Sequence, residues 1–325
     1  MRPFKPLAVI AAALIGATAA VTAAWAQADY PNRPVRLIVG FPAGSSADIA
    51  ARVVGARMSQ VLGQQVVVEN KPGAGSSIAA GEVARADKDG YTIFMLSSAN
   101  ITNEAINPKL PFNIVRDFQP IALVNTTAVI LAVHPSTGAN DLKALIALAK
   151  AKPGELNFAS TGVGTAPHLS GELLSQRAGI KIVHVPYKGS PEAATDLLAG
   201  RVSMMFSPAT AVVAQAKEGK LTVLATATGT RLSILPELPT MAEAGMPDFE
   251  TSIWFGLVAP VGTPRPIVDK LAKAVAEATS ALEVARAWEP QGILPLKGGP
   301  DEFGKHITSE IKRWNEVAEA AGLKK

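Results

Sequence analysis

The regular alternation of short apolar runs with amphipathic segments constrains the fold of this chain most. The run at 35–40 is apolar and β-branched, as in strands buried on both faces of a parallel sheet. The following segment has apolar residues at helical spacing and ends at Gly63, a common helix stop. Strand-like runs at 64–70 and 91–98 flank a helical stretch at 76–86. This β-α-β-α-β pattern predicts a parallel sheet covered by helices.

The same alternation begins again in the middle of the chain, with helical stretches at 141–154 and 166–179 between strand-like runs. For a chain of 325 residues, two successive α/β units are more economical than one very large sheet. Long apolar stretches at 121–133 and 251–259 flank the second unit. From their position, we expect them to be paired crossings between two domains that form a hinge.

The first 26 residues have the features of a secretory signal peptide. Arg2 and Lys5 form a basic start, an Ala-rich apolar run follows, and Ala-Trp-Ala at 24–26 has the small-x-small pattern of a cleavage site. The apolar run is short for a membrane span of about 20 residues, and no cysteine is available for lipid attachment. We therefore expect cleavage after Ala26, with Ala28 as the alternative, and a freely diffusing periplasmic protein.

Composition excludes several classes of protein and site. Without cysteine, the chain has no disulfide framework and no cysteine-based metal or catalytic site. The net charge of +4 includes Arg2 and Lys5, so it falls to +2 without the leader, and no run of basic residues suggests a nucleic-acid surface. The histidines are His134, His168, His184 and His306. None are spaced as metal ligands, so we expect neither a metal nor a cofactor.

The glycine-rich stretches match no complete nucleotide or catalytic motif. In the stretch at 73–78, Ile78 replaces the third glycine of a dinucleotide fingerprint, and Pro167 does so in the stretch at 162–167. A phosphate loop and a Gly-x-Ser-x-Gly elbow are also absent. We therefore expect no enzymatic activity. A periplasmic hydrolase that uses a serine and His168 remains as an alternative.

Four loops of small and hydroxyl residues follow predicted strands: FPAGSS, NKPGAGSS, MLSSAN and ASTGVGT. Ligands of open α/β sheets bind at the carboxyl ends of strands, and helix N-termini there offer unpaired N–H groups with a partial positive charge. Glycine lets the backbone approach a ligand, and Ser or Thr adds hydroxyl groups. One such loop more often only makes a tight turn. Four of them predict a shared anion-binding cleft.

The segments YPNRPVRLIVGFPAGSSADIAAR, NFASTGVGTAPHLSGELL, VHVPYKGSPEAATDLLAGRV and WFGLVAPVGTP closely resemble the tripartite tricarboxylate transporter receptors. These are the TctC-like or Bug-type periplasmic solute-binding proteins, and the resemblance covers essentially the whole mature chain. It implies a type II periplasmic-binding-protein fold, with two α/β domains that close over a small carboxylate, and delivery to a permease of a large and a small membrane subunit. The corresponding division is 27–126 plus 256–325 for domain 1 and 127–255 for domain 2.

The resemblance also implies a set of ligand-binding residues. They are Phe41, Pro42, Ala43, Gly44, Ser45, Ser46, Ser97, Ser98, Asn100, Ser160, Thr161, Gly162, Gly164, Thr165, His168, Tyr187 and Ser207, with Lys188 a weaker candidate. Asp48 is expected to be structural, because a bare carboxylate in the pocket would repel the ligand. Two positions depart from the family pattern: Ser45 replaces a glycine, and Ser207 stands where many members carry Asp. The second departure favours a carboxylate without an amino group.

The resemblance does not identify the carboxylate, and aromatic, aliphatic, mono- and dicarboxylic ligands all remain open. We expect a monomeric receptor without catalysis. A ligand-presenting accessory to a membrane sensor kinase is an alternative that the sequence cannot separate from a transport receptor.

Overall fold

The computed structural model describes residues 30–107 and 109–320, so the predicted signal peptide lies outside the described residues. Within them, ten strands form one mixed sheet: β1 (Val35–Val39), β2 (Val66–Asn70), β3 (Thr92–Ser97), β4 (Phe118–Val133), β5 (Asn157–Ser160), β6 (Val183–Pro186), β7 (Met204–Pro208), β8 (Thr222–Thr226), β9 (Ser252–Pro260) and β10 (Ile293–Pro295).

The α-helices of the described residues are α1 (Ser46–Leu62), α2 (Ser77–Val83), α3 (Ser98–Ile106), α4 (Ile114–Asp117), α5 (Leu142–Ala151), α6 (Ala166–Ala178), α7 (Ser190–Leu198), α8 (Ala209–Lys217), α9 (Arg265–Thr279), α10 (Leu282–Trp288) and α11 (Pro300–Ala320). Among them, none is long and apolar enough to cross a membrane. The helices α3, α4 and α10 are not predicted from the sequence pattern. In α3 the start is a capping box between Ser97 and Asn100, with Asn in the position that Glu or Gln usually occupies.

The strand order is β2-β1-β3-β9-β4-β7-β5-β6, and β8 and β10 also pair with β4. β1 lies parallel to β2 and β3, and β5 lies parallel to β6 and β7, as the alternating pattern predicts. By contrast, β4 and β9 run antiparallel to their neighbours. The α/β fold is confirmed, and the parallel pairing that the alternating pattern predicts holds for β1–β3 and for β5–β7. The long strands β4 and β9 make the sheet mixed, because they pair antiparallel with each other and with β7 and β3.

The long strand β4 pairs with different strands along its length. Its part at 118–128 pairs with β9, and its part at 129–133 pairs with β7. The two stretches expected to be crossings therefore lie side by side. We call the described residues of 30–117 and 261–320 the first half, and those of 134–251 the second half. The exact domain boundaries at 126/127 and 255/256 remain a prediction.

The central strands are buried on both faces, as their continuous apolar sequence predicts. In β1, Leu37 and Val39 pack in the large core with residues of α1 and α9, while Ile38 packs on the opposite face with residues of α2 and α11. This alternation follows the two-residue repeat of a strand. The helices therefore cover both faces and leave the carboxyl ends of the parallel strands free to form a cleft.

Candidate ligand-binding site

A small cavity lies between the two halves, where β1, β3, β5 and β7 end. Its lining residues are Phe41, Ser45, Ser46, Ser97, Ser98, Ala99, Thr161, Thr165, Ala166, Pro167, Ser190, Pro208, Ile253 and Phe255. None of these side chains is charged or titrates near neutral pH. Backbone and hydroxyl dipoles therefore determine which charge the cavity prefers.

Five helices of the described chain begin at this cavity: α1, α3, α6, α7 and α8. The first residues of four of them, and Pro208 immediately before α8, line the cavity. The first four N–H groups of a helix have no partner within that helix, and the helix dipole adds a partial positive charge at the same end. Several such ends around one uncharged cavity produce an environment suited to an anion.

The first loop, FPAGSS, is fixed by a buried carboxylate. Ser45 Oγ accepts a hydrogen bond from Asp48 N at 3.3 Å and so caps α1. The Asp48 carboxylate accepts from Gly44 N at 2.9 Å, Arg52 Nε at 3.0 Å and Asn70 Nδ2 at 2.9 Å. Burial raises the pKa of Asp48, but the hydrogen bonds from Arg52, Gly44 and Asn70 outweigh burial and hold the pKa below its usual value. As expected, Asp48 is a structural group under the loop.

The start of α3 contains a polar side chain with an unused donor. Asn100 Oδ1 accepts from Ser97 N at 3.0 Å and from Ser97 Oγ at 2.9 Å, while Asn100 Nδ2 is buried without a partner. The hydroxyls of Ser76 and Ser77 are also buried and unpaired. Ser76 Oγ lies only 1.8 Å from where a Cβ of Gly40 would be, so only glycine fits at the end of β1. Unpaired buried donors carry a desolvation cost that a hydrogen-bonding partner would relieve.

The loop at 160–165 forms the facing wall. Thr165 occupies the N-cap position of α6 without a side-chain capping hydrogen bond, and its Oγ1 instead donates to Gly162 O at 2.7 Å. Gly162 and Gly164 have φ of 127° and 78°, which side chains disfavour, so the tight path of this loop requires glycine. Thr161 and Thr165 are thereby held at the cavity wall.

Two histidines with their rings in contact lie behind this loop. His168 Nδ1 accepts from Gly164 N at 3.2 Å, and the ring centroids of His168 and His184 are 4.1 Å apart. His184 Nε2 lies 2.7 Å from Ser160 Oγ. Burial, together with the neighbouring His184, lowers the pKa of His168 to about 4, and burial lowers that of His184. Both rings are therefore neutral at physiological pH.

The two halves touch on either side of the cavity. A Cβ on Gly189 would lie 2.6 Å from Pro42 Cδ, and Thr102 Oγ1 of the first half donates to Gly164 O of the second. The cavity between these contacts has a volume of only about 20 Å³. A cavity that holds one water molecule needs about 10–15 Å³. A ligand larger than a few atoms therefore requires the halves to move apart.

The predicted ligand-binding residues fall into two groups. Those that line the cavity are Phe41, Ser45, Ser46, Ser97, Ser98, Thr161 and Thr165. Those that lie beside or behind it are Pro42, Ala43, Gly44, Asn100, Ser160, Gly162, Gly164, His168, Tyr187 and Ser207. Of these, Gly162 and Tyr187 line a neighbouring cavity of about 340 Å³ together with Lys188. The role of each residue in binding remains a prediction.

Sequence reasoning missed seven lining residues: Ala99, Ala166, Pro167, Ser190, Pro208, Ile253 and Phe255. The Gly-Ser-Pro sequence at 189–191 carries a usable signal, because proline is favoured in the first turn of a helix. Ile253 and Phe255 have no local signal. They reach the cavity only because β9 inserts between β3 and β4.

Comparison with known proteins gives consistent matches. Residues 50–323 match the family described as "Tripartite tricarboxylate transporter family receptor". The chain is similar to the periplasmic binding protein BugD, with a TM-score of 0.88 and 33% identity over 91% of this chain and 99% of BugD.

Two other similar structures contain ligands. Rpa4515 of R. palustris, solved with adipate, has a TM-score of 0.87 and 35% identity over 90% of this chain and 99% of its own. MatC of Rhodopseudomonas palustris, solved with bound malate, has a TM-score of 0.84 and 32% identity over 89% of this chain and 99% of its own. Both bound molecules are dicarboxylates.

Proposed function

The chain belongs to the tripartite tricarboxylate transporter family of receptors, and on that premise we propose that it binds a small organic carboxylate in the cavity between its halves. The observation that carries this proposal is the convergence of five helix N-termini on a cavity without a charged lining residue. The ligand carboxylate would accept hydrogen bonds from backbone N–H groups and from hydroxyls such as those of Ser46, Ser98 and Thr161.

The uncharged lining supports a carboxylate over other small ligands. A cation would meet the positive ends of the helix dipoles with no carboxylate to balance them. A phosphate dianion is usually matched by Arg or Lys, and neither residue lines the cavity. The relatives solved with adipate and malate support the same class of ligand.

The ligand would enter by separation of the halves. Two adjacent strands, β4 and β9, connect them, and the rim contacts at Pro42 and Gly164 are small. Rotation about this strand pair would open the cavity, in the manner of hinge closure around a ligand. This motion corresponds to the predicted division into 27–126 plus 256–325 and 127–255.

We further propose that the receptor acts in the periplasm, after cleavage near Ala26, and delivers its ligand to a permease with a large and a small membrane subunit. The matching family and the leader-like sequence support this assignment. A sensor-kinase accessory would use the same cavity. Growth of a deletion strain on the bound carboxylate as sole carbon source would separate the two, since only a transport receptor is needed for uptake.

The geometry favours a receptor over a hydrolase. A hydrolase needs a nucleophile beside a base within reach of substrate, and no histidine lines the cavity. Two serine hydroxyls lie against histidine rings in the described residues: the fully buried Ser160 against His184, and Ser136 against His134, and neither of these rings is that of His168.

A thermal-shift screen tests the proposed function. We expect adipate, malate or another member of a mono-, di- and tricarboxylate panel to raise the melting temperature, because the ligand binds only the folded state. A concentration of 100 times Kd stabilises by about 2.7 kcal/mol, which is about 4 °C for a chain of this size. The diamides of the same acids are the control. A panel without shifts, or equal shifts with the diamides, would contradict carboxylate recognition.

A further inference from the structure

The cavity wall formed by Thr161 and Thr165 belongs to a loop that contains no charged side chain. Contacts from behind determine its position. Gly162 N donates to Ser160 Oγ at 3.2 Å, which ties the start of the loop to β5. At the other end, Gly164 N donates to the ring of His168 on α6.

The histidine pair connects these two ends. His184 Nε2 is 2.7 Å from Ser160 Oγ, and its ring lies between those of Phe158, at 4.9 Å, and His168, at 4.1 Å. One cluster of three rings therefore supports both anchors of the loop. Neither histidine lines the cavity itself.

The protonation of His168 follows from this geometry. Its Nδ1 accepts the Gly164 N–H, so the proton of the neutral ring is on Nε2, which lies 3.8 Å from Glu172 Oε1. Glu172 is on α6 itself. Within the described chain, the ring of His184 on β6 contacts His168, the ring of Phe158 on β5 contacts His184, and no charged group of these strands pairs with His168.

We propose that His168 and His184 are positioning residues, which together hold the 160–165 loop so that Thr161 and Thr165 meet the ligand, and which do so only as a neutral pair. The expected effect of these residues on ligand affinity rests on the proposed carboxylate-binding function. Their expected effect on the order of the 160–165 loop does not.

Protonation would undo this arrangement in two ways. A protonated Nδ1 is a donor and cannot accept the Gly164 N–H, so that backbone group would lose its partner. Two imidazolium rings at 4.1 Å would also repel each other. Burial and the neighbouring His184 keep the pKa of His168 at about 4, which keeps the pair neutral under most conditions.

The experiment compares His168→Asn with His168→Leu at pH 7.5. Asn places an oxygen acceptor near the position of Nδ1 and does not titrate, whereas Leu removes the acceptor. The matched controls are His134→Asn and His134→Leu. His134 Nδ1 also accepts a backbone N–H at 3.2 Å, from Ser136, but His134 lies away from the cavity. The readouts are hydrogen exchange of the 160–165 backbone and Kd for adipate and malate by calorimetry.

We expect His168→Leu to accelerate loop exchange and to raise Kd by about 10-fold or more, because a buried N–H loses its acceptor. His168→Asn should stay within about 3-fold of wild type in both readouts, since it restores that acceptor. Both His134 variants should leave both readouts unchanged. Unaltered loop exchange in His168→Leu, or an Asn variant as impaired as the Leu variant, would overturn the proposal.

A pH series provides a second test if His168→Leu does not fold. Loop exchange, divided by the intrinsic exchange rate of the same amides at each pH, should rise in wild type and in His134→Asn as the pH falls towards 4 and stay constant in His168→Asn. Equal profiles in wild type and His168→Asn would overturn the proposal. If wild type binds neither dicarboxylate while the loop responds as expected, the result contradicts these dicarboxylates as ligands and supports the positioning role of the histidines.

Discussion

The two walls of the cavity present the same chemistry but are fixed from behind in different ways. In both, a strand ends, a turn of small residues follows, and a helix begins with unpaired N–H groups. The first wall is supported by the charged pair of Asp48 and Arg52, with an ion-pair distance of 2.9 Å. The second is supported by the neutral rings of His168 and His184. An anion site can thus be held by a buried charge only where that charge is itself balanced and shielded from the ligand.

The difference predicts that acid weakens the second wall first. Asp48 has a lowered folded pKa, so its contribution to stability is fully present above the ordinary Asp value of about 3.9 and is lost progressively as the pH falls from that value through its folded pKa. His168 has a pKa of about 4 against an ordinary 6.5. The neutral ring of His168 therefore begins to lower the free energy of unfolding near pH 6.5, where the unfolded chain takes up the proton and the folded chain does not.

The largest expected effect comes from placing a carboxylate in either wall. Thr165→Glu and Ser45→Glu should each weaken adipate binding by about 100-fold or more, because the new side chain fills the cavity and takes the anion position. Calorimetry measures the loss. Thr165→Gln and Ser45→Gln are the controls of equal size, and they should bind more tightly than the Glu variants. Equal affinities within each Glu and Gln pair would show that the cavity does not select for negative charge.

Asp48→Asn tests the support of the first wall. The change weakens the acceptor for Gly44 N and leaves Arg52 without its charged partner, so we expect a loss of about 2 kcal/mol in the free energy of unfolding. Urea denaturation at pH 7 measures it. Asp269→Asn is the matched control, since Asp269 also pairs with an arginine four residues away but is exposed. A loss no larger than that of the control would mean that burial adds nothing to the Asp48 anchor.

The smallest expected effect is a difference between the two walls in how the free energy of unfolding depends on pH. Between pH 7 and 5 the free energy of unfolding of wild type should fall by about 1.5 kcal/mol more than that of His168→Asn, since each pKa unit corresponds to about 1.4 kcal/mol and the ring keeps some solvent contact. Urea denaturation at both pH values measures the difference. Asp48→Asn should show the full wild-type loss in this range. Parallel falls in wild type and His168→Asn would remove the distinction between the walls.

The sequence was informative about the site wherever one loop contains all its determinants. Ser45 and Ser46 follow a buried strand and open a helix, and Thr161 and Thr165 do the same in the second half, so local pattern predicted their place at the cavity. Ile253 could not be found in this way. Its position depends on the register of β4 against β9, which pairs residues more than 100 positions apart.

The histidine pair shows a second limit of the sequence. His168 was singled out because it follows a glycine-rich loop, which suggested a residue of the pocket. In the structure its ring is turned to Gly164 N and His184, and the loop lies between it and the cavity. His184 gave no signal, since one histidine in a short strand is ordinary. Its contact with His168 depends on the parallel pairing of β5 and β6.

The position of β9 has a consequence for the order in which the protein can be assembled. β9 separates β3 from β4 in the sheet, although the whole second half lies between β4 and β9 in sequence. The first 100 or so described residues therefore cannot complete their sheet while the chain is still being synthesised beyond them, and must wait for Ser252–Pro260. Such a delay would keep this part of the sheet incomplete until the last quarter of the chain has been made.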